Sequence, residues 1–395
     1  MAWARIEWWA LMSEMFAFDE EQELIARSAL DLLDDRCGFE AVRKWMESEA
    51  GYDADLWREL AGLGWLGMII PEEFGGSGMG VTELVSVVES MGRKVFGSPF
   101  LANTLAAELL VLAADDEQKR RWLPALAAGE MIGCVALGER SGSWDLGDLT
   151  ARAEDDAGQL RLMGEKCFVL DAQNADLFLV ACRHEGEPAI VVLERSEIPA
   201  AALCVERIVD ETRRSARLRL DGLTIAPEAL LVGAGATAAL QHVQLLGALL
   251  VSAEMAGAAQ GVMDLTVEYL KTRVQFGRKI GGYQALKHPM VWIMVGVEHS
   301  ISLLYRAATL WDAGEDASQI EMAVRMSKAM SGDSCTNAVD RSIQFHGAFG
   351  FTWDCNAQLF FRRAQWAEYT FGDAAHHRRH LAGFLLGSSA QASEY

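Results

Sequence analysis

After Gly235 the chain carries a single proline, Pro289, through to its end. Proline removes a backbone donor and clashes with the preceding helical turn, so a stretch this poor in it is free to form helices of unusual length. Its apolar spacing predicts one helix from Ala236 to about Thr272, which at 1.5 Å per residue is a rod of about 55 Å. Further helical runs at His288 to Ala313, Ser318 to His346 and Asn356 to Phe371 must bury their apolar stripes against that rod and one another. A C-terminal four-helix bundle over residues 234–395 is the expected packing.

The first half of the chain divides by texture. Residues 1–17 precede the first regular pattern; Trp3, Trp8 and Trp9 alternate with Arg5 and Glu7, so the segment lacks the apolar run of a signal peptide and reads as an extension, with Met12 or Met15 as alternative starts. Residues 18–129 are helical: Leu24, Ile25, Ala29, Leu32 and Leu33 recur at three-to-four spacing, as do Leu56, Leu60, Leu63 and Leu66. Pro71 opens PEEFGGSGMG, which has two Glu in front and no Lys-Ser/Thr behind, and so reads as a solvated turn rather than a phosphate cradle. From 130 to 233 short runs such as AIVVLER and SARLRLDGLTI alternate with Gly, Asp and Pro. Turns about every ten residues without helix-length interludes predict an antiparallel β barrel or sandwich, not a nucleotide-binding βαβ sheet. The fold class is α+β: helical domain, middle antiparallel β domain, helical bundle.

Charge and cysteine usage narrow the partners. A net charge of -21 argues against a duplex-binding surface. Seven cysteines without a CxxC pair suit a reducing, cytoplasmic setting. The longest apolar run, Leu245 to Val251, soon meets Glu254 and falls short of the charge-poor length that a bilayer span needs.

Five strings are far more specific: LWRELAGLGWLGMIIPEEFGGSG (56–78), WLPALAAGE (122–130), GEKCFVLDAQNADLFLVA (164–181), YLKTRVQFGRKIGGYQALKH (269–288) and QFHGAFGFT (344–352). In this order and spacing, over essentially Phe18 to Gly387, the chain resembles the acyl-CoA dehydrogenase family. The resemblance implies FAD, bound between the β domain and the bundle with its adenine half reaching a neighbouring subunit. It implies that Arg273, Gln275, Phe276 and Gln284 contact the FAD of one subunit, and that Gln344, Gly347 and Ala348 contact the dinucleotide of another. Physically, a guanidinium offers a fork of donors to a pyrophosphate, and Phe276-Gly277 ends the helix with bare backbone near the cofactor. An Arg at a helix end, taken alone, reads as a surface ion pair; RVQFG together with QFHG reverses that.

Around the flavin ring the resemblance points to Val135–Ser143 and to Phe168, Val169 and Leu170, with departures: Gly138 and Arg140 stand where a hydroxyl residue and a proline are usual, and Leu170 where Thr is common. Arg140 either stabilises an anionic reduced ring or faces solvent. The implied reaction removes an α-proton from an acyl-CoA thioester while a hydride leaves its β-carbon, so a desolvated carboxylate base is needed. Of the family's two base positions, one falls on Phe371 and the other on about Gly247. Neither accepts a proton. Two carboxylates remain as candidates, Asp373, whose alternative role is to cap the last helix, and Glu254, whose apolar surroundings demand a partner. The Asp-x-x-Arg usual for the acyl-CoA is replaced by LLGA (245–248).

These losses beside a retained FAD string resemble heteromeric family members of bacterial sterol and bile-acid side-chain degradation, in which two related subunits share the parts. The expectation is a dehydrogenase, homo- or heteromeric as a dimer or tetramer, that passes electrons to an electron-transfer flavoprotein. A non-catalytic partner subunit and a flavin oxidase or monooxygenase are the alternatives. His376 and His377 do not suggest a metal: adjacent residues face different sides of a helix, and Arg378 and Arg379 repel a cation. The bundle tryptophans, 292, 311, 353 and 366, read as core.

Overall fold

The computed structural model describes residues 18–156 and 158–386; the extension at residues 1–17, with both candidate start methionines, lies outside them. The chain resolves into two compact units, each built from separated segments. One takes the residues up to Val42, Gly80–Phe96 and those from Ala248 on; the other takes Arg43–Met79 and Gly97–Gly247.

Helices come first: α1 (Glu20–Arg36), α2 (Phe39–Glu47), α3 (Ala54–Gly62), α4 (Val81–Arg93), α5 (Phe100–Ala113) and α6 (Asp116–Ala127). Aspartates start three of them. Asp19, Asp53 and Asp115 accept from backbone amides of the first turns of α1, α3 and α6, which satisfies donors that the helix itself leaves open. The strands follow: β1 (Gly133–Ala136), β2 (Arg152–Asp156), β3 (Gln159–Met163), β4 (Glu165–Leu170), β5 (Leu177–His184), β6 (Glu187–Glu194), β7 (Leu203–Glu206), β8 (Ser215–Arg219), β9 (Thr224–Ile225) and β10 (Leu230–Leu231). Last come α7 (Ala234–Thr272), β11 (Val274–Gln275), β12 (Arg278–Lys279), α8 (Gln284–Asp312), α9 (Ala317–His346), α10 (Ala357–Tyr369) and α11 (Ala374–Leu386).

In the β-containing unit the larger sheet runs β10-β6-β5-β2-β3-β9, with β1 parallel to β5, and a second sheet runs β4-β8-β7. Pairing is antiparallel apart from β1–β5 and the single β2–β5 bridge. Leu162, Phe178, Val180 and Val191 from the larger sheet share one core with Val169, Ala216 and Leu218 from the smaller. The PEEFGGSGMG turn folds on itself: Ser77, Gly78 and Met79 donate to the carbonyls of Gly67, Ile70 and Met68. With those amides spent internally, the turn is no phosphate cradle.

The other unit is the bundle, α7 from Ala248 on with α8 to α11, joined by α1 and α4. A Cβ added to Gly257 of α7 would lie 1.9 Å from the Glu89 carbonyl oxygen of α4, so only glycine lets the two backbones approach this closely. Asp312, at the end of α8, accepts from the Val81 and Thr82 amides at 2.7 and 2.8 Å and caps α4. The Tyr305 hydroxyl donates to Glu89 at 2.7 Å.

Two sequence expectations change here. By length and composition α7 does qualify as a membrane-crossing helix, but 89% of its most apolar window is buried within the protein; one Glu does not offset so many Ala, Leu and Val. The tryptophans are not all core, for Trp292 is 70% and Trp353 48% exposed. Helix α8 is apolar on two sides: Ile293, Val297, Ile301 and Leu304 are buried, while Val291, Trp292 and Met294 face outward.

Candidate cofactor-binding and catalytic site

At the end of α7 the chain turns back as a two-strand hairpin, with Val274 opposite Lys279 and Gln275 opposite Arg278. Its two-residue loop is Phe276-Gly277, at φ 52° and 77°. Positive φ at both positions is the tight turn whose twist matches paired strands, and there glycine is at ease while phenylalanine is strained. Phe276 is nonetheless 92% exposed. Tyr283 supports the hairpin, donating its hydroxyl to the Gln275 carbonyl while the Arg278 guanidinium lies 3.8 Å over its ring. Arg273, Gln275 and Gln284, the first residue of α8, are all exposed. Among the described residues no carboxylate pairs with the Arg273 guanidinium, whereas neighbouring Lys271 is held by Glu268 at 2.6 Å. A free guanidinium beside Arg278 and Lys279, in a strongly acidic protein, suits a phosphate group.

The second string lies at the end of α9. His346 is buried, its ring stacked on Tyr269 with centroids 4.2 Å apart and its Nδ1 2.8 Å from the Ser342 carbonyl. Burial lowers its pKa against the opposing hydrogen bond to Ser342, which favours the neutral imidazole. This footing leaves Gln344, Gly347 and Ala348 exposed, and a Cβ at Gly347 would meet open space. These residues and those around the hairpin present donors and bare backbone that are exposed among the described residues, which fits a dinucleotide.

The turn between α10 and α11 holds the expected base position. Phe371 adopts φ 59° and is 8% exposed. Its carbonyl lies 3.0 Å from His377 Nε2. The Asp373 carboxylate accepts from the His376 amide at 2.7 Å, the N-cap geometry of α11. Beneath the turn lies Lys328, a fully buried lysine of α9, donating to the Gly372 and Glu368 carbonyls at 2.8 and 3.0 Å. Burial pushes Lys328 down to about 8 despite the Glu368 and Asp373 carboxylates, and burial with the Lys328 and Arg325 cations pushes His377 down to about 2. Sequence reading passes over Lys328, because a lysine on a helix reads as a solvated face. The ring of His376 lies 4.6 Å from that of His380 and 5.2 Å from that of His377, at 88° to the latter.

Glu254 lies in the interior of the bundle, 2% exposed, with its Oε1 3.4 Å from the equally buried Arg363 guanidinium. Arg363 also donates to the Phe96 and Val95 carbonyls at 3.2 and 3.5 Å, at the end of α4. Glu254 thus has the structural partner that its surroundings demand. Gly247, the other base position, is a helical residue of α7.

In the β-containing unit, Phe168 stands 66% exposed at φ 54°, where β4 loses register with β8 between Lys166 and Val169. Val169 is buried in the core, leaving only its backbone for a cofactor. Arg140 is exposed, its guanidinium 2.9 Å from Glu165 in a surface ion pair, which favours the solvent-facing reading. The preceding loop is fixed from within: Glu139 binds the buried Lys166 ammonium at 2.7 Å and the Thr150 and Ala151 amides at 2.8 and 3.0 Å. That network holds the Glu139 carboxyl below its ordinary range against the opposing effect of burial.

Comparison with known proteins decides the family. Residues 19–130 match the acyl-CoA dehydrogenase N-terminal domain and residues 233–386 the acyl-CoA dehydrogenase C-terminal domain. Acyl-CoA dehydrogenase IpdE2 of Mycolicibacterium smegmatis is 30% identical over 366 residues, which cover 92% of this chain and 98% of that one. The chain belongs to the acyl-CoA dehydrogenase family. A steroid acyl-CoA dehydrogenase, Tcur3481–Tcur3483, superposes with a TM-score of 0.83 at 27% identity, covering 94% of this chain and 99% of that one. The ChsE4–ChsE5 complex of Mycobacterium tuberculosis shares the fold, with a TM-score of 0.84 at 24% identity and the same coverage. Members of this oxidoreductase family bind FAD, and the residues on the hairpin and at the end of α9 fit such a cofactor.

Proposed function

We propose that this chain is an FAD-dependent acyl-CoA dehydrogenase, or one subunit of such an enzyme, that introduces an α,β double bond into an acyl-CoA thioester. The chemistry that FAD would supply when bound is that of a hydride acceptor, at flavin N5, for the hydride that leaves the β-carbon. The observation that carries this reading is the exposed Arg273, unpaired among the described residues, beside the Phe276-Gly277 turn, followed by the exposed Gln344, Gly347 and Ala348. Arg273, Gln275, Phe276 and Gln284 hold one cofactor, and Gln344, Gly347 and Ala348 serve that of a neighbouring chain. Phe168 faces the flavin ring, with Val169 contributing backbone. Asp373 is the nearest carboxylate in sequence to the expected base and takes the α-proton; Glu254 is the second candidate.

A specific observation favours a second reading, that of a partner subunit whose paralogue supplies the base. Phe371 fills the expected position with a buried ring, one Asp373 oxygen caps α11, and Glu254 is paired with Arg363. Association with a second chain as dimer or tetramer is part of both readings and is supported by the outward Val291, Trp292 and Met294 of α8. An electron-transfer flavoprotein is the acceptor. The similarity to the Tcur3481–Tcur3483 steroid acyl-CoA dehydrogenase makes a steroid side-chain thioester the leading substrate class, and seven free cysteines suit a reducing cytoplasm.

The test is to purify the chain alone, record its visible spectrum and add acyl-CoA without oxygen. Bleaching by the chain alone that is abolished in Asp373→Asn supports the self-sufficient enzyme. A colourless protein that turns yellow and active only with a paralogue supports the partner reading, and oxygen consumption during turnover points to an oxidase. A chain that binds no FAD in any company refutes all of them.

A further inference from the structure

Phe168 is an exposed aromatic residue in a backbone conformation that aromatic residues avoid. Something must hold it there. The register of β4 against β8 is regular at Glu165–Arg219 and Lys166–Leu218, breaks, and resumes at Val169–Ala216, so Cys167 and Phe168 form a bulge. Bulges re-aim a side chain, and their free amides need acceptors. The Cys167 amide finds the Gly138 carbonyl at 2.9 Å. The Phe168 amide finds Glu206 Oε2 at 3.0 Å, and Glu206 lies on β7, two strands away across the small sheet.

The acceptor is itself built in. Ser215, on the strand between, donates its hydroxyl to the same Glu206 oxygen at 3.2 Å, and Arg217 lies between the carboxylates, 4.0 Å from Glu206 and 3.9 Å from Glu165. The Glu206 side chain is only 18% exposed. An ordinary surface ion pair would leave both carboxylate oxygens to solvent and cations; here one oxygen is given to a backbone amide at the point where the strand departs from its ladder.

We propose that Glu206 is a positioning residue for the cofactor: its carboxylate, reaching from β7, holds the Phe168 amide in the bulge and so presents the Phe168 ring outward to the flavin. This rests on the reading of Phe168 as the flavin-facing residue. Glu206 touches neither substrate nor cofactor in this account; it acts through the bulge.

The experiment compares wild type with Glu206→Ala, Glu206→Gln and Phe168→Ala, reading hydrogen exchange at the Phe168 amide in protein stripped of flavin, and FAD affinity with the visible spectrum after reconstitution. Glu206→Ala is expected to speed exchange at that amide by about tenfold or more, and to weaken FAD by about tenfold with a spectral change in the direction given by Phe168→Ala. Glu206→Gln, which keeps an acceptor oxygen, is expected to stay near wild type in both. Unchanged exchange at Phe168 in Glu206→Ala, or a Gln variant as impaired as the Ala variant, overturns the proposal. A Phe168→Ala protein whose flavin matches wild type instead removes Phe168 from the ring's surroundings, and so fails the underlying reading on separate data.

Discussion

Replacing Arg363 by Met would strip the buried Glu254 carboxylate of its cation while nearly conserving volume. Arg363 is 0% and Glu254 2% exposed, so neither can recruit bulk water without opening the bundle. Breaking such a pair from one side costs about 3–5 kcal/mol, because an uncompensated charge stays behind. The Val95 and Phe96 carbonyls lose their donor at the same time, which puts the expected loss at the upper end of that range. Adding Glu254→Leu removes the stranded charge, and the double variant should recover about 2–4 kcal/mol of it. Urea unfolding, followed by circular dichroism and by tryptophan fluorescence, measures both steps. The reasoning fails if Arg363→Met stays within about 1 kcal/mol of wild type, or if the double variant is no more stable than the single one. Glu254→Gln in the same series addresses chemistry: turnover that falls further than the folded fraction does would make Glu254 a catalytic group.

Lys328 gives a pH signature. Its folded pKa of about 8 lies below the unfolded value near 10.5, so below about pH 8 both states carry the proton and the burial penalty is complete. Between about pH 8 and about pH 10 the folded state has released a proton that the unfolded chain keeps, and stability should rise by on the order of 3 kcal/mol. Urea midpoints across that window should climb in wild type and stay flat in Lys328→Met. Arg273→Gln should weaken FAD by about 10- to 100-fold, the worth of a charge-assisted bond, read by flavin titration with folding unchanged. Asp373→Ala should cost about 1 kcal/mol as a lost helix cap while Asp373→Asn retains it; turnover lost in Asn at wild-type melting temperature would assign Asp373 to catalysis.

The long rod was legible because helix α7 combines an apolar pattern with a proline-free stretch: the expected Ala236–Thr272 is Ala234–Thr272. The β segment was legible as short strands, but the parallel pairing of β1 with β5 was not, since alternation says which residues are strand and not which strand they meet. The β11–β12 hairpin is not legible in the sequence because two-residue strands carry no periodicity, although Phe276-Gly277 occupies its loop. Trp292 reads as interior because an aromatic residue on an apolar helix is usually buried, yet α8 is apolar on two sides and Trp292 faces outward. Asp373 and Glu254 stand out in the sequence only as carboxylates near the two expected base positions, Phe371 and Gly247. Their hydrogen-bond partners, the His376 amide and Arg363, depend on three-dimensional packing that no spacing along the chain encodes.

The order in which the bundle unit collects its pieces has a consequence for synthesis. Helices α1 and α4 are made early, yet Glu89 and the α4 N-terminus rest on Gly257, Tyr305 and Asp312, which leave the ribosome far later. The nascent chain therefore emerges with α4 lacking these later neighbours, and the part of α4 that meets them stays open to chaperones and to like chains until translation has passed Asp312.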